Sequence, residues 1–147
     1  MRPIEFRGKV TGSQELEQIE NGWTYGSIFE NKIISRNRDI QSRYFHWISE
    51  VEIIQETVGQ YIGIKDMNGT KIFEGDILKI VHEDGAQFYS EVKYFADIDY
   101  PAFDIQFPDG FYFESNFINE AIQSGFFELS VAGNIHENPE LLEVAKC

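Results

Sequence analysis

Between Glu56 and Ile80 the chain reads ETVGQYIGIKDMNGTKIFEGDILKI, with glycines, an Asn-Gly pair and a Gly-Asp pair breaking short apolar runs at nearly regular intervals. Punctuation this dense leaves no room for a helix of ordinary length and constrains the chain to short strands joined by tight turns. A phosphate-cradling loop would set its glycines between a strand and a helix N-terminus, with a lysine and a hydroxyl at fixed offsets. Nothing helical follows Gly75, so Gly59, Gly63, Gly69 and Gly75 are read as corners or as points of close strand packing. Asn68-Gly69 is the strongest of these signals, because a type I′ hairpin turn needs positive φ at both central residues and this pair tolerates it.

Downstream the same rhythm continues. PAFDIQF alternates Phe103, Ile105 and Phe107 with Asp104 and Gln106, and FELSV alternates Phe127, Leu129 and Val131 with Glu128 and Ser130. FYSEVKYF sets Phe88, Val92 and Tyr94 against Glu91 and Lys93. Period two with one apolar face is the mark of a half-buried strand. Phe103, Ile105, Phe107, Phe127, Leu129 and Val131 are therefore expected to be largely buried and close together. Turn signals MNGT, FEGD, HEDGA and FPDGF separate the runs, and this spacing suits a small barrel or sandwich. Two places break the pattern. SNFINEAIQSG carries Phe117, Ala121 and Ile122 at helical spacing with Gly125 as a stop, and ENPELLEVAKC offers Asn138 as N-cap, Pro139 at the first helical position and Glu140 in the first turn. The first predicts one or two helical turns, and the tail a single frayed turn. The segment VTGSQELEQIENGWTYGSIF is open between a short helix and a polar hairpin connection, with Asn21-Gly22 favouring the hairpin.

Composition narrows the function class. The chain has 147 residues, 42% hydrophobic and 25% charged, which predicts one compact domain or a small one with an elaborated arm. Its single cysteine, Cys147, has no partner in the chain, so neither a disulfide framework nor a cysteine zinc site fits. No apolar run reaches the roughly 18 to 20 residues of a membrane span, and MRPIEFRGKV lacks the apolar core of a secretory signal. Cytoplasmic placement without membrane association is the expectation. A net charge of -13 opposes nucleic acid and anionic lipid. The charge is also unevenly spread: all five arginines precede residue 44, whereas 19 acids lie from Ile48 onward.

ETVGQYIGIKDMNGTKIFEGDIL, together with VAGNIHENPELL, resembles the YopX-like proteins of phages and prophages, and IEFRGKV followed by NGWTYG (Arg7, Gly8, Trp23, Tyr25, Gly26) is similar to that family's opening. The resemblance implies a mainly β protein of phage or prophage origin, with an SH3-like small barrel in its C-terminal part and no established activity. It transfers no catalytic residue. The expected organisation is an N-terminal β-rich arm or subdomain over 1–55 and an SH3-like barrel with a short helical tail over 56–147, with a soft boundary. GDILKIV, FYSEVKYF, PAFDIQF, FYFE and, after a helical turn, FFELSVAGNI supply five strands for that barrel.

Candidate chemistry is sparse. Glu74 and Asp76 stand two apart, the spacing of a strand face and of a paired-carboxylate acid/base site, but turn acids more often bond their own backbone. His82 and Asp84 extend this to a loose cluster without metal-ligand spacing, and no nucleophile motif accompanies His46 or His136. No enzyme activity, metal or cofactor is expected. NKIISRNRDIQSRYFHW joins cations to aromatics, and Arg36, Arg38, Arg43, Tyr44, Phe45 and Trp47 form the candidate interaction surface. Such a surface suits a second copy of the chain, forming a homo-oligomer, or a phage or host protein. The alternative is a nucleic-acid-associated protein that uses residues 32–47, disfavoured by the acidic remainder.

Overall fold

The computed structural model describes residues 4–12, 19–38, 46–95, 102–106 and 116–144. Those residues are mainly β, arranged in antiparallel sheets with two short helices. The chain divides into two compact units, Met1–Tyr61 and Ile62–Cys147.

In the first unit lie β1 (Phe6–Val10), β2 (Trp23–Phe29), β3 (Lys32–Arg38) and most of β4 (His46–Lys65). Strand β1 pairs with both β2 and β4, so the sheet closes on itself as a small barrel. Along β4 exposure alternates: Ile48, Glu50, Glu52 and Ile54 face water while Ser49, Val51 and Ile53 are buried. The pairing with β1 jumps from Arg7↔Gly59 to Lys9↔Ile54, leaving extra residues on β4. Thr57 fills that bulge: its hydroxyl accepts from Lys9 N–H (2.8 Å) and donates to the Ile54 carbonyl (2.6 Å). Asn21 (φ 53°) and Gly22 (φ 86°) make the two-residue turn, with Glu20 and Trp23 exchanging both backbone bonds at 2.8 and 2.9 Å, so the hairpin alternative holds there. The β2–β3 turn is Glu30-Asn31, and Glu30 sits at φ 55°, in the left-handed region that costs a side-chain-bearing residue energy. Glu30→Gly should raise stability by about 0.5 to 1 kcal/mol, the strain relieved less the added chain entropy, as read by urea denaturation.

The second unit contains β5 (Lys71–Phe73), β6 (Asp76–His82), β7 (Gln87–Tyr94), β8 (Phe103–Ile105), α1 (Phe117–Ser124), β9 (Phe127–Asn134) and α2 (Glu140–Val144). The four-stranded sheet has the order β8-β7-β6-β9. Strand β9 returns after α1 to pair with β6, an order compatible with an SH3-like barrel. The FYFE strand and Phe107 lie outside the described residues. Ile72, Leu78, Ile80, Val92, Ile105, Ile118 and Leu129 form the heart of the core, and Phe103, Phe127 and Val131 pack against it partly buried. Each fully buried Leu or Ile contributes about 1.5 to 3 kcal/mol.

Three details depart from the sequence reading. Tyr94 is exposed and its ring lies tilted against Phe103, with centroids 5.0 Å apart, because the strand ends there. On α1, Ile118 is buried and Ile122 is not, since the helix turns Phe117, Ile118 and Ala121 toward the core, while Gly125 stops it at φ 77°. Asn68-Gly69 does not form a type I′ turn, as Asn68 keeps a negative φ. Instead the Asp66 carbonyl accepts from Gly69 N–H (3.0 Å) and Asp66 N–H donates to Thr70 O (2.8 Å), a three-residue loop with only Gly69 (φ 81°) left-handed. The cause is Asp66, whose Oδ1 accepts from the Asn68 and Thr70 amides (2.8 and 2.9 Å) and thereby selects the longer loop.

Candidate functional site

Of the six residues in the candidate interaction surface, Arg43, Tyr44 and Phe45 lie outside the described residues. The backbones of Arg36, Arg38 and Trp47 are placed by the β3–β4 ladder, opposite Ile48, His46 and Asn37 respectively. The two arginine positions thus share one register parity, and Trp47 has the other.

What the described part of this sheet does present is an exposed face on β2, β3 and β4. Phe29 is opposite Lys32 and Lys32 opposite Glu52, while Ile48, Glu50, Glu52 and Ile54 follow one another at every second position of β4. Phe29 is 61% exposed, Ile48 71% and Ile54 39%. Lys32 Nζ lies 3.6 Å from Glu50 Oε2, both well exposed, so that pair adds little stability. Sequence reading placed the cationic and aromatic residues here and missed the apolar ones, although Ile48 and Ile54 are in phase with Glu50 and Glu52.

The acid and histidine candidates separate. Asp76 is buried, and its Oδ2 accepts from Phe73 N–H at 2.8 Å, closing the turn that carries Glu74. Glu74 is half-buried; burial first, and then the Glu91 charge, hold its carboxyl above the usual range. Burial likewise raises Glu91, with Lys93 opposing. The electrostatic neighbour of Glu74 is therefore a residue of β7. Asp84 N–H donates to His82 Nδ1 (3.3 Å), and Asp84 Oδ1 is 3.0 Å from the same nitrogen and accepts from Ala86 N–H (2.8 Å). Chiefly the Ala86 amide, and then His82, lower the Asp84 carboxyl. These groups serve the β6–β7 hairpin. Among the described residues no group of three or more His, Cys, Asp or Glu side chains converges as a metal site would, and no helix is long and apolar enough to cross a membrane.

The raised pair has a pH signature. Below the ordinary carboxylate value of 4.5 both glutamates are protonated in the folded and unfolded states alike. As pH rises past it, the unfolded chain ionises first, so stability falls until the folded carboxyls ionise as well. Glu91→Gln should therefore stabilise the protein at neutral pH and show no gain at pH 3. The effect should stay under about 1 kcal/mol, because water screens half-exposed groups. Denaturation curves at the two pH values measure it.

Asp104, expected on the polar face of its strand, is fully buried. Its Oδ2 accepts from Phe117 N–H (3.0 Å), and its Oδ1 accepts from Ile118 N–H (3.2 Å) and Ile105 N–H (3.0 Å). Asn116, in the N-cap position at φ 61°, makes no side-chain cap, so Asp104 caps α1 from another element. A carboxylate at a helix N-terminus also meets the positive end of the helix dipole.

Of the residues that carried the family likeness, Arg7, Gly8, Trp23 and Gly26 prove to be packing residues. Arg7 is buried with its guanidinium 4.9 Å from the Trp23 ring centroid, a cation–π contact. A Cβ on Gly8 would stand 2.9 Å from Ile53 Cβ, and one on Gly26 would collide with the Ile34 carbonyl oxygen.

Comparison with curated proteins returned no match. Among solved structures the chain is similar to the crystal structure of protein EF1440 from Enterococcus faecalis, at 22% identity over 97% of this chain and 99% of that one, with a TM-score of 0.49. The family model described as YopX protein matches residues 5–143, nearly the whole length, and the chain belongs to the YopX family.

Proposed function

We propose that this YopX-family chain is a non-enzymatic phage or prophage accessory protein of the host cytoplasm that acts through protein–protein contacts, self-association first among them. The observation that carries this reading is the exposed sheet face, where Phe29, Ile48 and Ile54 stand in water on a strand set whose other face is already buried. Solvated faces of antiparallel sheets are ordinarily polar, and large apolar side chains standing exposed on one support its use as a contact surface. The use of Asp66, Asp76 and Asp104 supports the non-enzymatic part: each of these buried carboxylates receives backbone N–H groups and shapes a turn or a helix start. Sedimentation velocity across micromolar concentrations tests the proposal. A concentration-dependent shift to a larger species is expected, reduced only partly by salt because apolar burial survives screening. A monomer at every concentration would count against self-association, and turnover in a broad activity screen that Glu74→Gln or Asp76→Asn abolishes would count against the non-enzymatic reading. Filter binding of single-stranded DNA at low and high salt addresses the alternative use of residues 32–47; no salt-dependent retention is expected.

A further inference from the structure

The strands that expose the apolar residues also differ in charge. Strand β3 carries Lys32, Arg36 and Arg38 and no acid, whereas the half of β4 paired with it carries Glu50 and Glu52 and neither lysine nor arginine. On a chain of net charge -13, this basic strand beside an acidic one is where an identical acidic molecule can approach without like-charge cost. From the arrangement we infer that the β2–β3–β4 face is a two-fold interface between copies of this chain, with its axis along the strands between β3 and β4; the inference rests on the self-association reading. That axis exchanges left for right across the sheet and leaves the strand direction unchanged. It lays the basic strand of each copy over the acidic strand of the other, and because Lys32 is directly opposite Glu52 in the ladder, Lys32 of one copy faces Glu52 of its partner. An axis across the strands would instead put β3 over β3, cation on cation. Ile48, the most exposed of the three apolar residues, is opposite Arg36 in the ladder and so faces the Arg36 position of the other copy, while Phe29 and Ile54 lie toward the Lys32–Glu52 end of the face. Lys32 and Glu50 already lie 3.6 Å apart in one copy, so closing the interface removes water from charges that are partly neutralised beforehand.

The test is sedimentation of the full chain and four variants, with circular dichroism confirming the fold of each. Ile48→Lys changes a side chain that is 71% exposed, so folding is unaffected, and it should weaken association about tenfold or more, the effect of setting a cation against the Arg36 position of the other copy. Lys32→Glu and Glu52→Lys should each weaken self-association, because each places like charges across the axis. The double variant should recover it. A one-to-one mixture of the two single variants should form a heterodimer more readily than either forms a homodimer, a result that an effect confined within one chain cannot produce. Wild-type association that is indifferent to Ile48→Lys and to both charge reversals overturns this face while leaving self-association standing. Weakening by the single variants without recovery in the mixture overturns the axis. A wild-type chain that remains monomeric overturns both the face and the reading beneath it.

Discussion

Replacing Asp104 by alanine should lower the free energy of unfolding by about 3 kcal/mol, combining the loss of a helix cap with buried amides left without an acceptor. Three N–H groups point at this carboxylate, those of Ile105, Phe117 and Ile118, and two of them are the first donors of α1. Hydrogen bonds to an ionised acceptor are the stronger kind, and here no water replaces them because the side chain is fully buried. Asp104→Asn keeps the shape and one oxygen but turns the other position into a donor facing a donor, so it should cost roughly half as much. Urea denaturation of the two variants beside the wild type measures both values. If the alanine variant lost under about 1 kcal/mol, Asp104 would not be the cap. Because Phe117, Ile118 and Ala121 reach the core from this helix, hydrogen exchange should speed up first in α1.

Gly26→Ala should be comparably damaging, at about 3 kcal/mol, the upper end of the usual cost of forcing an extra methyl into a packed site. Gly26 lies at φ 157° where β2 and β3 approach, and a Cβ there meets the Ile34 carbonyl oxygen and, at 2.9 Å, Ser35 Oγ. Backbone cannot rotate away as a flexible side chain can, so relief requires opening the β2–β3 pairing that helps close the barrel. Thermal unfolding would register the change as a fall in Tm of several degrees, about 2 to 8 °C per kcal/mol for domains of this size range. The same substitution at Gly69, where a Cβ meets nothing within 4 Å, should cost less and act only through its positive φ. Gly69→Ala reports backbone strain alone, and the excess at Gly26 reports the added collision.

Much of this architecture was legible beforehand because its causes are local. Alternation marked Leu129 and Val131 against Glu128, and helical spacing with Gly125 marked α1, since each signal lies within a few residues of the structure it specifies. The motif residues Arg7, Gly8, Trp23 and Gly26 identified the family without disclosing their work, which is packing inside a small closed sheet. The candidate interaction surface was legible only in part: its cations and aromatics were visible as composition, and Ile48 is in phase with Glu50 and Glu52 along a single strand, but the register that separates the parity of Trp47 from that of Arg36 and Arg38 exists only once β3 and β4 are paired.

By itself, then, the sequence determined the β class, the turns at Gly22, Gly69, Gly75 and Gly85, the helix before the last strand and the family. Only the tertiary structure decided which partner each polar group found. Period two assigned Asp104 to solvent, yet amides 13 and 14 residues away turned it inward, because a buried carboxylate is stable wherever enough N–H donors converge on it. Asp66 likewise changed the turn at Asn68-Gly69 by holding its amides and also accepting from Val131 N–H at 2.9 Å, a contact spanning 65 residues. Glu74 acquired its like-charged neighbour from β7 and not from Asp76 two positions along. Periodicity and turn chemistry are short-range and can be read from a string; hydrogen-bond satisfaction and charge proximity depend on which distant segments the closed sheets bring together.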